Sequence, residues 1–178
     1  MDPEQALTQI DPAALRIVVY PDPVLRAVAR PVAEAEMAAA AAVADRMIAL
    51  MHEARGVGLA APQVGLPVRM FVANWTQEPG DDHVFINPEL REPSRRSASD
   101  EEGCLSLPEL RVEVRRPTGI EIHALGADGQ PFALAADGFA ARVWQHESDH
   151  LDGRLITDRM GAADRLANQS ALRALGIA

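Results

Sequence analysis

Five consecutive residues, His146-Glu147-Ser148-Asp149-His150, place two imidazoles four positions apart with a carboxylate directly after the first. On a helix the two histidines project from one face about a turn apart, so both can ligate a single ion. Glu147, the next residue around that helix, is placed to reach water on the ion rather than the ion itself, which separates a base from the ligands. The same run also fits an amphipathic helix whose polar face carries two histidines and two acids. Two ligands leave a third open, and Cys104, the only cysteine, is the strongest candidate. It follows Gly103, which permits close backbone approach, and a thiolate suits a transition ion better than Mg or Ca. A lone buried cysteine can equally be a small hydrophobe. Taken with the histidine pair, it completes a site of three protein ligands and leaves one position for water.

The HExxH run must be carried by a helix, and residues 137–150 are expected to form it, with Asp137 as the cap and Leu151-Asp152-Gly153 as the stop. Residues 34–55 predict another helix, acidic at its start and striped by Met37, Ala40, Ala41, Ala44, Met47, Ile48 and Met51 at helical spacing. Gly56 ends it. A last helix is expected over residues 162–175. Short strands are expected at residues 68–73, 84–86, 112–115, 120–124 and 131–135, with Asp128-Gly129 as a hairpin turn. Residues 92–103, rich in charge, Ser and Pro, are read as a loop, and residues 1–14 as a loose N-terminal arm. Strands this short and hairpin-like argue for α+β rather than regular βαβ units. The small-residue stretch Gly56-Val57-Gly58-Leu59-Ala60-Ala61-Pro62-Gln63 reads either as a helix terminus leading into a turn or as a place of close backbone approach. It lacks the Gly-Lys-Ser/Thr or full GxGxxG of a phosphate loop.

Length and charge narrow the partners. At 178 residues one domain spanning residues 1–178 is expected. The basic complement is all Arg, and the net charge of −9 disfavours non-specific binding to nucleic acid. Arg91, Arg95 and Arg96 are followed at once by Asp100-Glu101-Glu102 and read as a solvated loop. No apolar run approaches the roughly 20 residues that span a bilayer, so no membrane role is expected. One cysteine, and a start lacking a basic and an apolar signal region, fit a reducing cytoplasm.

The glycine stretch ending in Gln63, the segment Glu102-Gly103-Cys104-Leu105-Ser106, and Gln145-His146-Glu147-Ser148-Asp149-His150-Leu151-Asp152-Gly153 together resemble the three signature motifs of peptide deformylases. Order and separation are similar too, and the likeness extends over residues 17–160. The resemblance implies a compact α+β fold with short antiparallel strands around a central HExxH helix and a C-terminal helix. It implies hydrolytic removal of the N-formyl group from formylmethionine of nascent polypeptides, with release of formate. Fe(2+), replaceable by Zn(2+), Ni(2+) or Co(2+), would be held by Cys104, His146 and His150. Glu147 would serve as general base and acid, while the Gln63 amide and the Leu105 backbone N–H line the developing oxyanion. Gly58 and Arg111 would help position the peptide, and Val57, Phe139 and Val143 would lie near the methionine side chain, although each also suits an ordinary core. Arg142 departs from an apolar residue common in the family, and its aliphatic stem can cover apolar surface. Ser148 departs from a larger residue and bears on packing rather than chemistry. Glu102 and Asp149 are candidates to orient the histidines. His52, His83 and His123 read as surface or locally bonded residues. Ribosome contact near emerging chains is a further implication. The HExxH run alone would also fit an internal-bond metalloprotease, which the Glu102-Gly103-Cys104 segment and the lack of a further downstream ligand motif disfavour. A silent metal-containing peptide binder is the third reading.

Overall fold

Two helices pack on opposite faces of one sheet, and the alternation of side chains along the strands shows how. The structure is a computed structural model that describes residues 6–177. Helix α1 (Met37–Glu53) follows a 3-10 turn at Glu34–Glu36, and β1 (Gly58–Ala60), β2 (Met70–Ala73) and β3 (His83–Arg91) come next. A separate hairpin is formed by β4 (Ser97–Cys104) and β5 (Leu107–Pro117); then β6 (Gly119–Leu125) and β7 (Pro131–Asp137) lead into α2 (Gly138–Leu151). Helices α3 (Ala162–Ala167) and α4 (Gln169–Ala174) close the described chain. The main sheet is antiparallel in the order β1-β2-β3-β6-β7.

Leu59, Met70, Val72 and Ile86 pack with Ala40, Val43, Ala44, Met47 and Met51 of α1. Their sequence neighbours Ala60, Phe71, Ala73 and Phe85 point the other way, onto Ala141, Val143 and Trp144 of α2. Because a strand alternates faces, both faces of β2 are covered and its sequence is apolar throughout. A third cluster joins Leu107, Leu110, Val112 and Val114 of β5 to Leu25, Leu155, Ile156 and Leu172. This cluster ties the Cys104 hairpin to the C-terminal segment.

Several sequence expectations change. The loop expected over residues 92–103 is largely β4, whose ladder partners are backbone groups of β5 and whose side chains from Ser97 to Glu101 are exposed. A strand with solvent on its side chains shows no apolar alternation. The single C-terminal helix breaks at Asn168, whose side chain bonds back to the Asp164 carbonyl at 3.0 Å. Asp137 stands at the start of α2 but its side chain makes no capping bond there. Of the arm, residues 1–5 lie outside the described residues. From Leu7 onward it is held rather than loose: Leu7 is buried in the α1 cluster and its N–H donates to Glu36 at 2.9 Å. Glu36 also accepts from Arg30 at 2.7 and 2.8 Å, which places a partly buried ion pair beside the start of α1. Gly58 to Ala60 of the glycine stretch is β1, at the edge of the main sheet. Among the described residues no helix is long and apolar enough to cross a membrane.

Candidate metal centre and its cavity

Helix α2 carries both histidines inward. Its C-terminal end is fixed where Gly153 adopts φ of +69° and passes so close to the Arg26 carbonyl that a Cβ would lie 2.5 Å from that oxygen. Cys104 ends β4 at a register shift in the ladder with β5, which turns its side chain toward α2. Cys104 Sγ lies 3.3 Å from His150 Nε2, and the ligand atoms of Cys104, His146 and His150 all fall within 4.8 Å of one another. Elements distant in sequence therefore bring together the donor set that the HExxH spacing and the lone cysteine predicted.

The third motif is held on the other side of the thiol. Gln63 Oε1 accepts from the Ala60 N–H at 2.8 Å, so its amide nitrogen points at Cys104 Sγ (3.4 Å) and Ser106 Oγ (3.2 Å). The chain preceding α1 fixes both partners: the Val18 N–H donates to the Gln63 carbonyl at 2.8 Å and the Tyr20 N–H to the Ser106 carbonyl at 2.9 Å. Gly58 faces Glu147, and a Cβ at Gly58 would overlap the Glu147 carboxylate. Here the glycine serves close approach.

Beneath the ligands lies a buried charge network. Glu102 Oε2 accepts from His146 Nδ1 at 3.0 Å, leaving His146 Nε2 for an ion. Arg116 donates to Glu102 at 2.7 and 2.9 Å and to Asp149 at 2.9 Å, and Arg159 also pairs with Asp149. Arg142 donates to Glu102 at 2.7 Å and to the carbonyls of Val114 and Ala98 at 2.8 and 2.9 Å. Its guanidinium thus belongs to this network, where the sequence reading had only its aliphatic stem covering apolar surface. Burial alone would push the Glu102 carboxyl up, but hydrogen bonds from His146 and Arg116 hold it well below the usual carboxylate range.

The neighbouring titrations respond to the same surroundings. Burial holds His150 well below its ordinary value and therefore neutral, as a ligand must be. Burial opposes charge on His146 too, but hydrogen bonds to Cys104 and Glu102 prevail and raise it well above its ordinary value. The position between Cys104 and Glu102 therefore favours a cation. Burial, reinforced by Glu102, pushes Glu147 up to about 7. A carboxyl near that value both takes and gives a proton near neutrality. Among the described residues Glu147 Oε2 and His150 Nδ1 have no hydrogen-bond partner, and both are buried. One thiolate and two imidazoles, with one ring already oriented by a carboxylate, fit a transition ion with an open position.

A cavity of about 420 Å³ opens onto these groups. All the predicted site residues line it except His150, which lies behind the others and is buried. Phe139 stands half exposed, whereas Val143 is buried. Ser148 is buried with its hydroxyl unpartnered. His52, His83 and His123 pair instead with Asp82, Asp81 and Glu121, apart from the cavity. Arg116 and Ser106 were missed, since an arginine in a hairpin and a serine beside a cysteine carry no local mark of what they touch. Arg55 was missed as well, although its place next to Gly56 was the available signal.

The family model described as polypeptide deformylase matches residues 14–166. A peptide deformylase from Rhodopirellula baltica is 45% identical over 149 residues, covering 83% of this chain and 73% of that protein. The crystal structure of peptide deformylase from Thermotoga maritima superposes with a TM-score of 0.77 at 42% identity, covering 83% of this chain and 97% of that one. A plant peptide deformylase crystal structure gives a TM-score of 0.84 at 37% identity, covering 94% and 91%. With the Cys104, His146 and His150 cluster in place, the chain belongs to the polypeptide deformylase family of metal-dependent hydrolases that remove N-formyl groups.

Proposed function

We propose that this chain removes the formyl group from N-formylmethionyl nascent peptides in the cytoplasm, as one domain over residues 1–178, with Fe(2+) as the working ion and Zn(2+), Ni(2+) or Co(2+) as substitutes. The observation that carries the reading is the buried, unpartnered Glu147 carboxylate oxygen on the same cavity as the three-ligand cluster and the Gln63 amide. Held by Cys104, His146 and His150, the ion supplies Lewis acidity toward the formyl carbonyl and lowers the pKa of a water.

The remaining steps belong to the chain. Glu147 takes the proton of the attacking water and later gives it to the leaving amine. The Gln63 amide, oriented by Ala60, donates to the developing oxyanion, together with the Leu105 N–H. Glu102 keeps His146 in one ring orientation. Gly58 leaves room for Glu147, and Gly58 and Arg111 position the peptide backbone. Val57, Phe139 and Val143 form the apolar wall for the methionine side chain, where a flexible thioether packs readily. Delivery of substrate near the ribosomal exit is part of the same reading and is supported only by the nature of that substrate.

The test is formate release from a short formyl-Met peptide by protein loaded anaerobically with Fe(II), with the metal content of the same sample measured. Formate at one ion per chain is the expected result. No formate with the site fully loaded overturns the reading, and cleavage at an internal peptide bond would favour a protease instead.

A further inference from the structure

Two arginines on the cavity wall have no carboxylate partner among the described residues. Arg55 and Arg111 both line it and both are exposed. Among the described residues the Arg55 guanidinium makes no hydrogen bond or ion pair, and Arg111 donates to the Leu110 carbonyl alone, at 3.2 Å. Among the described residues, Arg26, Arg30, Arg46, Arg69, Arg91, Arg116, Arg142 and Arg159 pair with acids; of the arginines that do not, Arg55 and Arg111 are the two that line the cavity.

Their placement is tied to the reacting end of the cavity. Arg111 is the ladder partner of Gly103 and crosses it so closely that a Cβ there would overlap the guanidinium. Arg55 precedes Gly56, where a Cβ would lie 2.8 Å from Leu105 Cδ1. Arg111 therefore lies against Gly103, and Arg55 lines the same cavity from the residue before the Gly56–Leu105 contact. Arg55 also holds φ of +56°, a left-handed conformation that glycine adopts more easily. Nearby Glu102 does not offset them, because Arg116, Arg142 and His146 already occupy its oxygens. Glu101 also lines the cavity, but it lies two residues further along β4, about 7 Å from Gly103.

We propose that Arg55 and Arg111 set substrate preference downstream of the formylated residue. Peptides with an acidic side chain at the first or second position after methionine are processed faster than those with a basic one. This rests on the deformylase reading of the same cavity.

The test compares kcat/KM for formate release from formyl-Met-Asp-Ala, formyl-Met-Ala-Ala and formyl-Met-Lys-Ala, and from the set with the charge moved to the third residue. All are C-terminally amidated so that no terminal carboxylate supplies the charge. Each exposed ion pair is worth a factor of about 1.5–5, so an acid-over-base ratio of about 3–20 is expected at low salt. Raising salt from about 0.01 M to about 1 M, which shortens screening from about 30 Å to about 3 Å, should bring that ratio close to unity. Arg55→Gly, which relaxes the backbone while removing the charge, should reduce the ratio, and Arg55→Glu should reduce it further or reverse it. A ratio within about twofold of unity in the unmodified protein at both positions, below the expected range of about 3–20, overturns the proposal. So does a ratio that neither salt nor Arg55→Glu changes. Formate from the neutral peptide keeps the deformylase reading standing in either case, whereas no formate from any peptide by the loaded protein removes both.

Discussion

Replacing Glu102 by Gln isolates the charge network beneath the ligands, because the shape is kept while one acceptor oxygen becomes a donor. Oε1 accepts from Arg116 Nε and Arg142 Nη1, each at 2.7 Å, and Oε2 from Arg116 Nη2 at 2.9 Å and His146 Nδ1 at 3.0 Å. Whichever way the amide turns, its NH2 faces two donors, and at 6% exposure water cannot readily intervene. The cations keep partial alternatives: Arg116 retains Asp149, and Arg142 retains the Val114 and Ala98 carbonyls. Breaking a buried pair costs about 3–5 kcal/mol, and these fallbacks place the loss near the lower end, about 3 kcal/mol. For a chain of this length that corresponds to a fall in Tm of about 6–12 °C in the metal-free protein. Loss of the carboxylate that orients His146 should also weaken metal binding by about 10–100-fold. Thermal unfolding of metal-free wild type and Glu102→Gln, then titration of each with Co(2+) against a competing chelator, measures both effects. A Tm within about 2 °C of wild type together with unchanged metal affinity would refute the assigned role, since even 1 kcal/mol shifts Tm by about that much.

Three further outcomes follow from individual contacts. Glu147→Gln should keep the metal and the fold while lowering kcat by about 10²–10⁴-fold, the usual contribution of a positioned acid–base group; near wild-type turnover at full metal loading would remove Glu147 from the proton transfers. Gly58→Ala should displace the Glu147 carboxylate it abuts and cut turnover more than it lowers Tm; unchanged kcat/KM would show that Glu147 has room to spare. Hydrogen bonds from Arg30 hold Glu36 down to about 2, with further bonds from the Leu7 and Ala33 N–H groups. A depressed carboxyl contributes stability that is fully present above its unfolded value near 4.5 and is lost as pH falls toward 2. Because Arg30 is one-third exposed, the contribution is discounted to about 1–2 kcal/mol. Urea unfolding from pH 6 downward should therefore show wild type and Glu36→Gln converging in stability at acid pH, and parallel curves would count against the pair.

The ligands were legible because their signal is local. Two histidines one helical turn apart declare a shared face, and Cys104 followed from needing a third soft donor. The glycine stretch became informative only beside its neighbours: Gly58 is small because Glu147 lies against it, a contact spanning half of the chain. Strand β4 stayed hidden for a related reason, since backbone pairing with β5 is independent of the polar side chains it leaves in solvent. Arg142 misled because an arginine among apolar residues reads as a stem over a hydrophobic wall. Its acceptors, Glu102, Val114 and Ala98, lie 28 to 44 residues away and no spacing rule reaches them.

Helix α2 makes the cost of building such a site visible. Ten of its fourteen residues are buried, and six of those ten, Arg142, Gln145, Glu147, Ser148, Asp149 and His150, are polar. Apolar burial through Ala141, Val143, Trp144 and Leu151 secures one side of the helix against the sheet. It cannot secure the other, where uncompensated polar groups would each cost on the order of 1–3 kcal/mol. Arg116 answers by reaching from β5 to Glu102 and Asp149 at once, so that one guanidinium connects the Cys104 strand to the histidine helix. Gln145 bonds to the Pro117 and Ala141 carbonyls on the same side. Among the described residues these bonds leave Trp144 Nε1, Glu147 Oε2, Ser148 Oγ and His150 Nδ1 of the helix without partners, and of these residues only Glu147 lines the cavity. A buried network that pairs Glu102, Asp149, Arg116 and Arg142 while leaving Glu147 Oε2 without a partner keeps the ligands in register, although 46 positions separate Cys104 from His150.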